Sequence, residues 1–254
     1  MEFDDAKLLS AYASCFDRPA FTTPFHQESN LHHFKKAIEE WSLMTNRLNK
    51  KSLIEAVEYL EVRDRQLKLA ISKFGPPPLC RREEGFKTLI YIILEQQVSL
   101  ASAKAVYVKL LKKIGSITPV NFLKLSDSEL KLIGFSRQKA SYSRNLAEAI
   151  ITEHLNLTGL SDLNDPQAKE QLMNIKGIGP WTADIYLLMA LGRPDIWPNG
   201  DMALASAVQK LKGAASRPSF EELYRMSHKW KPWRAVAARI LWHYYLSDRK
   251  LNVP

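Results

Sequence analysis

Residues 172–204 read LMNIKGIGPWTADIYLLMALGRPDIWPNGDMAL. The helical pattern on the amino side stops at Lys176-Gly177-Ile178-Gly179 and resumes at once through Pro180, whose fixed φ and missing N–H suit a first helical position. Two helices joined by so short a turn form a hairpin. Gly177 and Gly179 permit positive φ and leave no side chain in front of the backbone, so successive N–H groups at the second helix's N-terminus can close on an anion. A nucleic-acid phosphate fits the local charge. The same GxG is also an ordinary glycine-capped turn between helices, and its spacing alone does not choose.

Outward from this hairpin, apolar residues keep recurring at helical intervals. Leu31, Phe34, Ile38, Trp41 and Leu48 share one face, and Leu53, Val57, Leu60, Leu67 and Ile71 mark a second helix. GPPPL at 75–79 then stops helix formation and provides a boundary. Helices follow at 83–96 and 100–114, closed by GSITP. Ser126 with Glu129 makes a capping-box start for a short helix stopped by Gly134, and another helix runs over 137–154. Asp165 and Pro166 read as N-cap and first residue of a helix reaching Asn174. Further helices are expected at 180–191, 201–212, 219–228 and 232–247. Short strand pieces near 20–25 are the only departure, no repeat of solenoid period occurs, and the chain reads as all-α.

The 254 residues can bury a core without metal or disulfide support, and 46% hydrophobic with 25% charged residues excludes a disordered or fibrous chain. The net charge of +9 is unevenly spread: residues 1–50 carry 6 basic and 7 acidic groups, and 51–254 carry 30 and 20. That excess suits nucleic acid or an anionic membrane surface, and also a merely soluble basic protein. Cys15 and Cys80 have no ligand-like spacing, so neither a metal site nor a disulfide framework is indicated, and a reducing cytoplasm fits. His26, His32 and His33 have no supporting metal-ligand pattern. The N-terminus lacks the pattern of a secretory signal, and no stretch approaches the about 20 apolar residues of a membrane span.

IKGIGPWTAD followed by DIWPNGD resembles the signature of the helix-hairpin-helix DNA glycosylases, in the 3-methyladenine DNA glycosylase II branch. ILEQQVSLASAKAVYVKL at 93–110, GFSRQKASYSRNLAEAI at 134–150 and WKPWRAVAARILWHYY at 230–245 resemble further segments of that family in the same order. The resemblance covers residues 85–247. It implies two helical lobes around a DNA-binding cleft, with 1–80 an N-terminal helical segment packed on a catalytic core of 81–254.

The resemblance also implies roles. Asp201, twenty residues after Trp181, matches the catalytic carboxylate, which would stabilise positive charge building on deoxyribose as the N-glycosidic bond breaks. Read locally, Asp201 is equally an N-cap for the helix that follows. Trp181 stands where strand-cleaving relatives carry a nucleophilic lysine, so no Schiff base forms by that route and a monofunctional enzyme is implied. Trp181 and Trp242 match walls of the base pocket, where π-faces attract cationic methylated purines; Trp242 also reads as a core aromatic. Gln97 matches the residue that plugs the gap left by an extruded base, where better-known relatives carry leucine or asparagine. Gln96 and Gln97 read alternatively as helix caps.

Phosphate contacts are expected from Gly177, Gly179, Lys176, Ser136, Arg137 and Lys139, with Lys231 and Arg234 as further candidates; each basic residue also reads as a solvated helix-end charge. The family's hairpin often holds Na+ or K+ on backbone carbonyls, here those of Met173, Ile175 and Ile178; no other cofactor is implied. The missing cysteine set after Tyr245 excludes cluster-bearing relatives. The expected partner is double-stranded DNA with alkylated bases, and not a membrane. The expected chain is a monomer, in the cytoplasm of a bacterium or the nucleus of a eukaryote. A non-catalytic hairpin DNA-binding protein and a bifunctional oxidised-base glycosylase are the alternatives. Asp201 argues against the first and Trp181 against the second.

Overall fold

A computed structural model describes residues 47–251. The expected helix over 31–48, save its last two residues, the strand pieces near 20–25, Cys15 and the three histidines His26, His32 and His33 lie outside these residues. The described residues form helices joined by turns, with no strand among them, so the all-α reading holds. In chain order the helices are α1 (Lys50–Arg63), α2 (Arg65–Phe74), α3 (Phe86–Glu95), α4 (Leu100–Ile114), α5 (Pro119–Leu123), α6 (Asp127–Ile133), α7 (Arg137–Ile151), α8 (Asp165–Met173), α9 (Pro180–Met189), α10 (Met202–Lys212), α11 (Phe220–Ser227) and α12 (Arg234–Leu251). Among the described residues no helix is long and apolar enough to cross a membrane.

Two compact units result. The first comprises Arg81–Leu191 and Pro198–Ala203; the second comprises 47–80, Gly192–Trp197 and 204–251. In the first unit α3 is the central helix, packed by α4, α7 and α9. Its apolar positions exceed a single stripe: Leu89, Ile90, Ile92 and Ile93 are all buried, as a helix covered on several sides requires. Side-chain caps set the boundaries around it. Ser126 and Glu129 form the expected capping box of α6, Gly134 closes that helix in the left-handed region, and Ser136 caps α7. Thr118 and Pro119 start a short helix, α5, where only a closing turn was expected. For α8 the N-cap is Asn164, one residue before the expected Asp165. Its side chain accepts from Gln167 N, and Pro166 moves to the second helical position.

In the second unit α12 packs on α1 and α2. The single helix expected from Leu53 to Ile71 is two helices, broken at Asp64. The apolar spacing runs through the break because both helices face the same core, with Leu53, Val57, Leu60 and Leu67 buried. Asp64 is 2% exposed and N-caps α2, accepting from Gln66 N at 2.8 Å and Leu67 N at 3.1 Å. Its other oxygen accepts from Trp230 Nε1 at 2.6 Å and faces Lys229 Nζ at 2.7 Å. Burial pushes this carboxyl up, but the hydrogen bonds from Lys229, Trp230 and Leu67 bring it below its ordinary value. Trp230 in turn packs on Trp197, with ring centroids 5.2 Å apart. Cys80 is buried and disulfide-bonded.

Asp64→Ala removes a helix cap and strands a buried indole N–H. Urea denaturation is expected to show a loss of about 3 kcal/mol. The Asp64 contribution is fully present above the ordinary carboxyl value of 3.8 and is lost as pH falls through the lower folded value.

Candidate functional site

The hairpin lies within the first unit. α8 ends at Met173, Ile178 N donates to Ile175 O at 2.9 Å across the turn, and α9 starts at Pro180. Gly177 has φ +107, and a Cβ there would lie 2.2 Å from Tyr142 Cγ on α7, so both backbone and space demand glycine. Gly179 does not use the positive φ that glycine permits: it is extended at φ −88, and a Cβ there would meet nothing within 4 Å. No side chain caps α9, so its first N–H groups have no side-chain acceptor. Across the hairpin Lys169 Nζ on α8 meets the buried Asp184 carboxylate on α9 at 2.6 Å, holding the two helices in register.

Outer carbonyls of the turn are also held. Asn145 Nδ2 on α7 donates to Lys176 O at 3.4 Å, and Gln96 Nε2 donates to Gly177 O at 3.1 Å. Lys176 itself is exposed. One turn into α9, the half-buried Trp181 donates from Nε1 to Asp201 Oδ2 at 3.2 Å. Asp201 is 1% exposed, on the segment Pro198–Ala203 that belongs to this same unit. The twenty-residue spacing is therefore a contact, and the carboxylate and the hairpin are parts of one body.

Between α3 and α4, Gln97 is exposed and has φ +59, in the left-handed region that non-glycine residues rarely enter. The residues before it are fixed. Arg82 grips Glu95 in a bidentate pair at 2.7 and 3.1 Å, with Glu95 buried. Lys139 Nζ donates to Leu94 O at 2.6 Å. Burial pushes the Lys139 ammonium down to about 8, against the opposing pull of Glu95.

Of the expected phosphate ligands, Arg137 and Ser136 are exposed at the start of α7, where Ser136 Oγ accepts from Lys139 N at 3.2 Å as a helix cap. The Lys139 ammonium is turned inward onto the end of α3. Arg234, in the second unit, is held by Asp195 through two contacts at 2.9 Å. Trp242, also in the second unit, is 1% exposed, so no face of its ring is open in this conformation. Among the described residues no group of His, Cys, Asp or Glu is placed to hold a metal ion.

A family model described as HhH-GPD superfamily base excision DNA repair protein matches residues 90–233, which spans the hairpin and Asp201. The chain belongs to the HhH-GPD superfamily. It is 27% identical over 202 residues to the alkylbase DNA glycosidase-like protein mag2 of Schizosaccharomyces pombe, covering 77% of this chain and 95% of the relative. A putative DNA-3-methyladenine glycosylase of Bacillus subtilis, YfjP, is 27% identical over 173 residues, and the match spans 65% of this chain and 60% of the relative. Among solved structures, the S. pombe 3-methyladenine DNA glycosylase in complex with abasic DNA superposes with a TM-score of 0.69 at 26% identity, covering 74% of this chain and 95% of that one.

Within this HhH-GPD domain, Tyr142, Asn145 and Gln96 are supports that sequence reasoning did not identify. The glycine at 177 was the available signal, since a residue without a Cβ often marks a close approach, but the sequence does not say by what. The two glycines make a paired test. Gly177→Ala is expected to cost about 2–4 kcal/mol in denaturant unfolding, through positive φ and the clash with Tyr142. Gly179→Ala is expected to cost less than about 1 kcal/mol.

Proposed function

We propose that this protein is a monofunctional DNA glycosylase that extrudes alkylated purines of the 3-methyladenine and 7-methylguanine type and hydrolyses their N-glycosidic bond, leaving an abasic site. The observation that carries the reading is the buried Asp201 carboxylate, held by the Trp181 indole at 3.2 Å on the first turn after the hairpin. A DNA-binding module has no use for a buried carboxylate fixed beside a phosphate-binding turn.

The chemistry needs little more. In a purine methylated at N3 or N7 the base is cationic, so C1′–N cleavage sends the bonding pair to the base and releases it neutral. The sugar becomes oxocarbenium-like, and a fixed carboxylate stabilises that charge in a site of low polarity. Water then adds to C1′, with Asp201 oriented to accept its proton. Trp181 keeps the carboxylate in place and presents an indole to the cationic base. With tryptophan at 181 no amine is offered for a Schiff base, which supports hydrolysis over strand cleavage.

Duplex DNA carrying alkylated bases is the proposed partner, bound by a monomer. The uncapped N-terminus of α9 and the exposed Lys176, Ser136 and Arg137 supply its phosphate contacts, and Gln97 fills the gap. For a monovalent cation the carbonyls of Met173, Ile175 and Ile178 are suitable donors. Among the described residues no backbone N–H bonds to Met173 O or Ile178 O, and Ile175 O accepts one, from Ile178 N, leaving a second lone pair. Na+ or K+ held there would add positive charge at the phosphate-facing turn. The proposed compartment is that of the genome: cytoplasm in a bacterium, nucleus in a eukaryote.

Single-turnover release of 7-methylguanine from a defined duplex tests the reading. Asp201→Asn is expected to keep DNA affinity while release falls at least about 10²–10³-fold. The wild type is expected to form no borohydride-trapped adduct with DNA; full release by the mutant, or trapping, overturns the mechanism.

A further inference from the structure

Adjacent glutamines at the α3–α4 turn point to different tasks. Gln97 is exposed and Gln96 is partly buried, and the φ of +59 at Gln97 separates the two side chains. The Gln96 carboxamide reaches across to the hairpin. Its Nε2 carries two hydrogens and donates to two oxygens there, Gly177 O at 3.1 Å and Thr182 Oγ1 at 3.0 Å. Gly177 is the turn residue locked by Tyr142, and Thr182 follows Trp181 on the first turn of α9.

Resting on the glycosylase reading, we propose that Gln96 is a positioning residue that registers the plug turn against the hairpin, so that gripping the phosphate and holding the base out of the stack occur in one fixed geometry. Without it, the plug turn keeps two restraints on its α3 side, Arg82 on Glu95 and Lys139 on Leu94 O, and loses its bridge to the hairpin. A strained backbone at Gln97 is maintained only where its surroundings over-determine it, and the bridge is part of those surroundings. Glutamine fits because both hairpin acceptors need donors. Glutamate has the same shape, but it would set a carboxylate against the Gly177 carbonyl, which cannot donate.

The decisive experiment compares two duplexes holding 7-methylguanine, one paired with cytosine and one opposite an abasic gap, where extrusion is already cheap. Gln96→Ala and Gln96→Glu are expected to slow single-turnover release about tenfold or more on the paired duplex, the worth of two hydrogen bonds, and to stay within about threefold of wild type on the gapped one. Asp201→Asn fails on both. Wild-type rates for the Gln96 variants on the paired duplex, or equal losses on the two duplexes, overturn the inference.

A second readout does not depend on chemistry. It uses 2-aminopurine opposite a stable abasic analogue. Wild type is expected to change its fluorescence as the plug meets the orphaned base, and Gln96→Ala, bound at saturation, is expected to give less than half that change. An unaltered signal in the variant overturns the inference. A wild type that changes the fluorescence but releases no base from either duplex instead overturns the glycosylase reading and leaves the positioning role standing.

Discussion

The hairpin turn can be built only because residue 177 has no Cβ. With φ +107 and Tyr142 Cγ 2.2 Å from where that atom would be, any side chain would force the turn off α7. The consequences are directional. A turn seated on Tyr142 fixes where α9 begins, and the start of α9 fixes both its open N–H groups and the Trp181 ring. That ring then sets one oxygen of Asp201, and the turn's own carbonyl receives Gln96. One close approach between α7 and the turn thus underlies the uncapped start of α9, the placement of the Asp201 carboxylate and the hydrogen bond from Gln96.

Much of this was legible in the sequence. Helical periodicity and capping residues marked most elements because they are local signals: a Ser126–Glu129 box or a Gly134 stop operates within a single turn. The hairpin was legible for the same reason. Errors arose where a local pattern continued through a tertiary event. Spacing from Leu53 to Ile71 runs unbroken across Asp64, because the two helices share a core and the break is stabilised by Trp230, 166 residues away. Asn164 and Asp165 are both good caps, and only backbone geometry chooses between them.

Side chains that hold the site were the least legible. Gln96, Tyr142 and Asn145 act through contacts 31 to 86 residues away in the chain or through a Cβ that is absent. Charge was misleading in the same way. A basic excess invites every lysine and arginine to be read as a phosphate ligand, yet Lys139 turns inward to a carbonyl and is held near a value of about 8 by burial. Arg234 is spent on Asp195, Lys169 on Asp184 and Arg82 on Glu95. The part of the charge that remains at the hairpin end of this unit is carried by exposed residues such as Lys176 and Arg137.

At the centre of the site is a buried carboxylate, one oxygen of which accepts from the Trp181 indole N–H. Trp181→Phe keeps an aromatic ring at this position and deletes its N–H donor, so it separates the hydrogen bond to Asp201 from the contribution of the ring. The most direct measurement is the single-turnover rate of 7-methylguanine release by this variant, alongside its affinity for an abasic-analogue duplex. The rate is expected to be about tenfold to a hundredfold lower, the worth of a hydrogen bond to a charged group, with affinity nearly unchanged. An undiminished rate would show that the Trp181 N–H does not orient Asp201 for base release.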